Sequence, residues 1–142
     1  DLVREIRRFR PDVVVCFDPT FILGDGYINH PDHRAVAQAA LDAVAPAAAM
    51  PLIFPELREE GLEPHHVKEV WVASSLHSNT WVDIADTLDL KIAALRKHAS
   101  QFPDGWDPGE MLREWAAENG KEIGIPSAES FKRIILEREH ND

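Results

Sequence analysis

The chain has 142 residues, 44% of them hydrophobic, which is one domain's worth of material with enough apolar content for a sizeable core. Its formal net charge of −10 and its pI of about 5.1 argue against a surface that neutralises phosphates, so neither nucleic acid nor an anionic membrane is the expected partner.

The chain opens without a Met, directly in a helical pattern, and is therefore expected to be a fragment. Residues 1–9, "DLVREIRRF", put Leu2, Ile6 and Phe9 on one helical side. Arg4, Arg7, Arg8 and Arg10 form the one basic cluster, read as a solvated helix face. "RPD" ends the helix, because proline disfavours helical geometry in its predecessor. "VVVCF", 13–17, is a short, β-branched apolar run, expected as a strand buried on both faces in a parallel sheet. Its Cys16 is the single cysteine, so no internal disulfide can form; it reads as a small buried hydrophobe in a reducing compartment, the cytoplasm.

"DPTFILGDGYIN" reads as a loop, and "HPDHRAVAQAALDAVA" as a helix. Pro31 suits the first helical position, Asp32 complements the positive end of the dipole, and Val36, Ala40, Ala43 and Val44 form the apolar stripe. Residues 45–66 carry four prolines and read as a long connection with room for one short helical turn. "VKEVWVASS", 67–75, is the second strand. "NTWVDI", 79–84, is a short strand or a lead-in loop. Asp83 is expected to cap the next helix, with Asp86 three residues on and a stripe of Leu88, Ile92, Leu95 and Ala99. "FPDGWDPG" breaks the chain; helix "EMLREWAAEN" follows, with Gly120 as its C-cap. "ESFKRIILE", 129–137, is expected to hold a strand at 131–136. This alternation predicts an α/β fold, a Rossmann-like layered sheet with flanking helices, a single partial domain over 1–142 that lacks strands at its N-terminal side. No apolar run reaches the ~18 residues that span a bilayer, and no signal peptide is visible.

In open α/β sheets, ligands bind beyond the carboxyl ends of the strands. The loop after 13–17 ends in "NHPDH", so His30, Asp32 and His33 fall at that edge. Neutral imidazole ligates zinc at ~2.0–2.1 Å. A second imidazole, held by a carboxylate, can carry a proton toward a developing oxyanion. Spacing alone favours a capping or surface role over a metal or catalytic one, because a zinc site needs three or more protein ligands and only one or two are in view.

"NHPDHRAVAQAALDAV" resembles the histidine motif of the LmbE/PIG-L family of zinc-dependent N-deacetylases, which remove acetyl groups from N-acetylglucosaminyl compounds. "FPELREEGLEPHHVKEVWVASS", "NTWVDIADTLDLKIAALRKHASQF" and "AESFKRI" resemble family segments in the same order, so the likeness spans nearly the whole chain. The resemblance implies that His33 is a zinc ligand, that His30 stabilises the oxyanion as an imidazolium, and that Asp32 hydrogen-bonds to His30. Tyr27 is implied as an oxyanion donor. The family's N-terminal motif, which supplies the remaining zinc ligands and an Asp general base, has no counterpart here. The chain thus resembles the C-terminal portion of such an enzyme, expected to be inactive alone, its parent hydrolysing an N-acylated amino sugar. The alternative is a non-catalytic binding module that retains the fold.

The remaining candidates have plainer readings. His65 and His66, in "EPHHV", read as loop surface, and His77 as a connection residue that could line a substrate side. His98, with Gln101, reads as a helix-end residue. Trp71, Trp81 and Trp115 read as core or rim, and Trp106 as the best candidate for stacking on a sugar. Glu129, in "AESF", could approach the site, though no local feature shows it, and Asp18 is a candidate to support the site from behind.

Overall fold

The computed structural model of the chain describes residues 1–24, 26–103 and 105–136. Asp25, Asp104 and Glu137, which fall in stretches read above, lie outside the described residues. The fold is mixed α/β, with a sheet of parallel and antiparallel pairs and flanking helices. The elements are α1 (Leu2–Phe9), β1 (Val13–Phe17), β2 (Leu23–Gly24), β3 (Tyr27–Ile28), α2 (Pro31–Asp42), α3 (Glu56–Glu59), β4 (Glu69–Ala73), β5 (Thr80–Asp83), α4 (Leu88–Arg96), α5 (Gly109–Lys121) and β6 (Ala128–Ile135). The hydrogen-bonded strand order is β1-β4-β6-β5, and β2 and β3 form a separate small hairpin. The chain divides into two compact units, Asp1–Ser78 with the strand from Phe131, and Asn79–Ser130.

In the first unit, β1 runs parallel to β4 with Val14 opposite Val70, and β4 runs antiparallel to β6 with Trp71 opposite Arg133. Val70 and Val72 of β4 are buried, and Val3, Ile6, Val44 and Leu57 pack into the same core. β1 is not buried on both faces. Val13, Val15 and Phe17 are exposed, and β1 lies at one end of the strand order. Val15 and Phe17, with Ile6, Phe9 and Val36, line an apolar cleft of about 580 Å³. Val36 therefore leaves the expected core stripe of α2 and is 47% exposed, while Ala37 takes its buried place.

The basic cluster departs furthest from expectation. Arg7 is 2% exposed. Its guanidinium donates to the carbonyls of Ala47, Ala48, Met50, Ile53 and Phe54 at 2.8–3.3 Å. Arg4 pairs with Glu60, Arg8 with Glu5, and Arg10 reaches the Pro64 carbonyl. The proline-rich connection is poor in backbone donors, and Arg7 supplies them from α1. The connection otherwise holds a wide turn at Ala43–Ala47 and the short α3.

Arg133 grips the Glu69 carboxylate with two nitrogens, and Trp71 Nε1 donates to the same group at 2.8 Å. These bonds, the Arg133 one foremost, pull the Glu69 carboxyl from 4.5 down to about 2. A carboxyl depressed on folding contributes stability above its unfolded value and loses it as pH falls toward the folded value. Stability is therefore expected to drop as pH falls from 4.5 toward 2, and Glu69→Gln should flatten this limb. Urea midpoints measured across that range check it; an unchanged acid limb in Glu69→Gln would remove the pair's role.

In the second unit, Ile84, Leu88, Ile92, Leu112 and Ala116 form the core. Asp83 does not cap α4. Its carboxylate accepts the Ala85 amide at 2.9 Å and shapes the turn before the helix, whose first cap position is Thr87. α4 ends at Arg96, so Ala99 belongs to a following tight turn and His98 lies beyond the helix. Gly120 is inside α5, not at its C-cap: a Cβ there would lie 2.3 Å from the Ile125 carbonyl oxygen. It is small because the returning chain presses on it, and Gly124, at φ 74°, makes the left-handed turn. β6 starts at Ala128, three residues before the expected strand, and ends at Ile135.

Candidate metal site

β1 delivers the chain to Asp18, which is 8% exposed. Its Oδ1 accepts the Thr20 amide at 2.8 Å and the Thr20 hydroxyl at 2.6 Å, and Ser75 and the Phe21 amide add further bonds. Burial pushes this carboxyl up, but the Thr20, Ser75 and Phe21 bonds together outweigh it and hold it below the usual carboxylate value. Asp18 thus stays ionised and anchors the start of the loop.

The loop returns through the β2–β3 hairpin to Asn29, a residue the sequence did not single out. Asn29 is 6% exposed. Its amide Nδ2 donates to the Phe21 carbonyl at 2.8 Å, and its backbone N–H donates to the Ile22 carbonyl at 2.9 Å. The first bond fixes the side chain's orientation, since a carbonyl can only accept. Asn29 Oδ1 therefore faces His33 Nδ1, 3.3 Å away, and His33 must donate there. The Nε2 lone pair of His33 is left available. The Tyr27 hydroxyl also donates to Asn29 Oδ1, at 3.4 Å.

His30 precedes α2 in extended geometry, and Pro31 is the first helical residue, as expected. His33 is half-buried, stacked on Phe17 at 4.8 Å between ring centroids. The His30 and His33 rings lie 5.3 Å apart, and Tyr27 lies 5.9 Å from His30. One donor atom from each of His30, Asp32 and His33 falls within 4.8 Å of the others. The sequence therefore placed these three side chains together, and the fold adds Asn29 and Phe17 around them. Among the described residues no hydrogen bond joins Asp32 to His30. Asn29 had one sequence signal, a turn-forming residue two positions before a helix start. Its partner Phe21 lies eight residues back, which no local pattern announces.

The other candidates make contacts of their own. His65 Nε2 bonds the Pro11 carbonyl at 2.8 Å, and its amide bonds Ala48. His66 and His77 are exposed, the latter's backbone N–H donating to Ser75 Oγ at 3.2 Å. Glu129 pairs with Lys91. Cys16 is half-buried, and burial, then the Asp18 charge, push its thiol up, as suits an inert packing residue. No helix among the described residues is long and apolar enough to cross a membrane.

No protein-family model matches the chain. It is 34% identical over 138 residues to the diacetylchitobiose deacetylase of Thermococcus kodakarensis, covering 94% of this chain and 49% of that protein. It is 26% identical over 148 residues to a 1D-myo-inositol 2-acetamido-2-deoxy-alpha-D-glucopyranoside deacetylase of Saccharopolyspora erythraea, covering 89% and 46%. Among solved structures, the N,N'-diacetylchitobiose deacetylase of Pyrococcus horikoshii matches with a TM-score of 0.82 and 33% identity over 95% of this chain and 50% of that one. The TT1542 protein of Thermus thermophilus shares the fold, with a TM-score of 0.71. These curated homologues are deacetylases, and the chain spans about half their length.

Proposed function

We propose that residues 1–142 are the C-terminal portion of a zinc-dependent N-deacetylase domain of the LmbE/PIG-L type, acting on the N-acetyl amide of an N-acetylglucosaminyl-type substrate. The observation that carries this is the convergence of His30, Asp32 and His33 at the carboxyl end of β1, in a chain 34% identical to an amino-sugar deacetylase. The donor set fits zinc chemically, and the Nδ1 bond to Asn29 leaves Nε2 as the His33 nitrogen that would meet a metal. His33 would hold the metal, together with donors outside these 142 residues. When bound, zinc supplies Lewis-acid polarisation of the amide carbonyl and a more acidic water.

This chain's own residues then act on charge and orientation. His30, exposed at the start of α2, would donate to the oxygen that becomes negative as the amide is attacked. Asp32 lies in the same cluster, with no hydrogen bond to His30 among the described residues. Tyr27 lies beside His30, and its hydroxyl would have to leave Asn29 Oδ1 to act as a second donor. The N-terminus of α2 adds a positive field there. The lone Cys16 supports a reducing compartment, and we place the enzyme in the cytoplasm.

The test is release of free amine from an N-acetylglucosaminide. The complete enzyme should turn over with zinc, and residues 1–142 alone should not. His30→Ala in the complete enzyme should keep its zinc and lose about 10²–10³ in kcat, the usual effect of removing one oxyanion donor. Loss of zinc in that variant would make His30 a ligand instead, and turnover by the 142 residues alone would sink the divided site.

A further inference from the structure

The second unit holds a cleft that the proposed chemistry does not use. Beyond the end of α4 the chain turns at Ala99–Gln101, passes Phe102, and turns again so that the Trp106 amide bonds the Pro103 carbonyl at 3.1 Å. Gly105, at φ 81°, permits that second turn. The Phe102 and Trp106 rings pack 4.9 Å apart, and Trp106 is still 44% exposed. Both line a cleft of about 360 Å³.

Arg96 and Asp107 line the same cleft. Arg96 Nε meets Asp107 Oδ1 at 2.8 Å, Nη2 meets Oδ2 at 2.5 Å, and the Gly109 amide donates to Oδ1 at 3.1 Å. The pair packs closely over Gly109, where a Cβ would sit 3.0 Å from Arg96 Nη2 and 3.3 Å from Asp107 Oδ2. The pair is thus held in a fixed, planar arrangement next to an aromatic platform. It retains spare N–H donors on the guanidinium and spare lone pairs on the carboxylate, both partly open to solvent.

These features select a ligand. A wholly apolar molecule would leave the pair's donors and acceptors without partners. An anion would meet Asp107, and a cation would meet Arg96. A neutral ring with one apolar C–H face and several hydroxyls satisfies the indole and both charges together. We infer that this cleft binds one pyranose ring of a saccharide, stacked on Trp106 and hydrogen-bonded to the Arg96–Asp107 pair. The choice of probe rests on the proposed function; the site itself does not.

The test titrates the 142-residue chain with N-acetylglucosamine and N,N'-diacetylchitobiose while following the indole N–H resonances of its four tryptophans. Trp106→Phe removes one resonance and so assigns it. That resonance should shift saturably, Trp106→Ala should weaken binding about tenfold, Trp106→Phe should keep most of it, and His33→Ala should leave it unchanged. Asp107→Asn, at a half-exposed pair, provides a second variant at the same site and should also weaken binding. No saturable shift at Trp106, wild-type binding by Trp106→Ala or Asp107→Asn, or equal binding of adenosine would overturn the assignment. Absence of deacetylation in the complete enzyme would leave this titration intact, and absence of the Trp106 shift would leave the deacetylase reading standing.

Discussion

Arg7→Ala is expected to destabilise the first unit by about 3–5 kcal/mol, a third or more of a typical domain's stability. The guanidinium contacts five carbonyls, and three of them have other donors: Ala48 O accepts His65 N–H, Met50 O accepts Ile53 N–H, and Phe54 O accepts Leu57 N–H. Ala47 O and Ile53 O have no other hydrogen bond among the described residues, so removing Arg7 strands them. Each acceptor stranded in this half-buried turn costs about 1 kcal/mol, and loss of the charge-assisted bonds and the packed stem of the buried Arg7 supplies the rest. In urea the midpoint should fall by about 2 M if the slope is unchanged. Arg7→Lys should recover less than half, because one ammonium cannot span acceptors from Ala47 to Phe54. A midpoint within error of the wild type for Arg7→Ala would mean that solvent satisfies these carbonyls and the clamp is dispensable.

The burial of Arg7 is not legible in α1 itself. A stripe through Leu2, Ile6 and Phe9 fits the helix, but Phe9 is 81% exposed and the buried set is Val3, Ile6 and Arg7. Both sets fit a helical period. The deciding fact lies forty residues downstream, where a connection rich in proline lacks N–H groups to satisfy its own carbonyls. A sequence reading that had counted donors in residues 45–55 would have asked which cation serves them. β1 was legible to the residue, because a β-branched run between proline and aspartate has few other outcomes. Its exposure was not, since burial depends on what packs against a strand. Gly120 failed for a related reason: a glycine near a helix end signals a cap, whereas here it makes room for a chain that crosses later.

The site divides the same way. His30, Asp32 and His33 are close in sequence, so the turn into α2 alone brings them together. Nothing local says which nitrogen of His33 carries its proton. That is set by Asn29, whose own orientation is set by the Phe21 carbonyl, and Phe21 is tied back to Asp18. A buried carboxylate three residues before Phe21 thus reaches the imidazole through two links.

His33→Ala is accordingly expected to abolish metal binding in the complete enzyme, and Asn29→Ala to weaken it by about 10–100-fold, the usual effect of losing a group that orients a metal-bound histidine. Metal content and cobalt absorption after dialysis measure both. The second variant also has a signature without metal: in the 142-residue chain, imidazole ¹⁵N shifts should report His33 protonated at Nδ1, and Asn29→Ala should let both tautomers populate. Asn29→Leu, which keeps volume but accepts no hydrogen bond, should behave as alanine does. A fixed Nδ1–H tautomer and undiminished metal affinity in both variants would reduce Asn29 to a packing residue. The control of His33 would then have to come from its stacking on Phe17 alone.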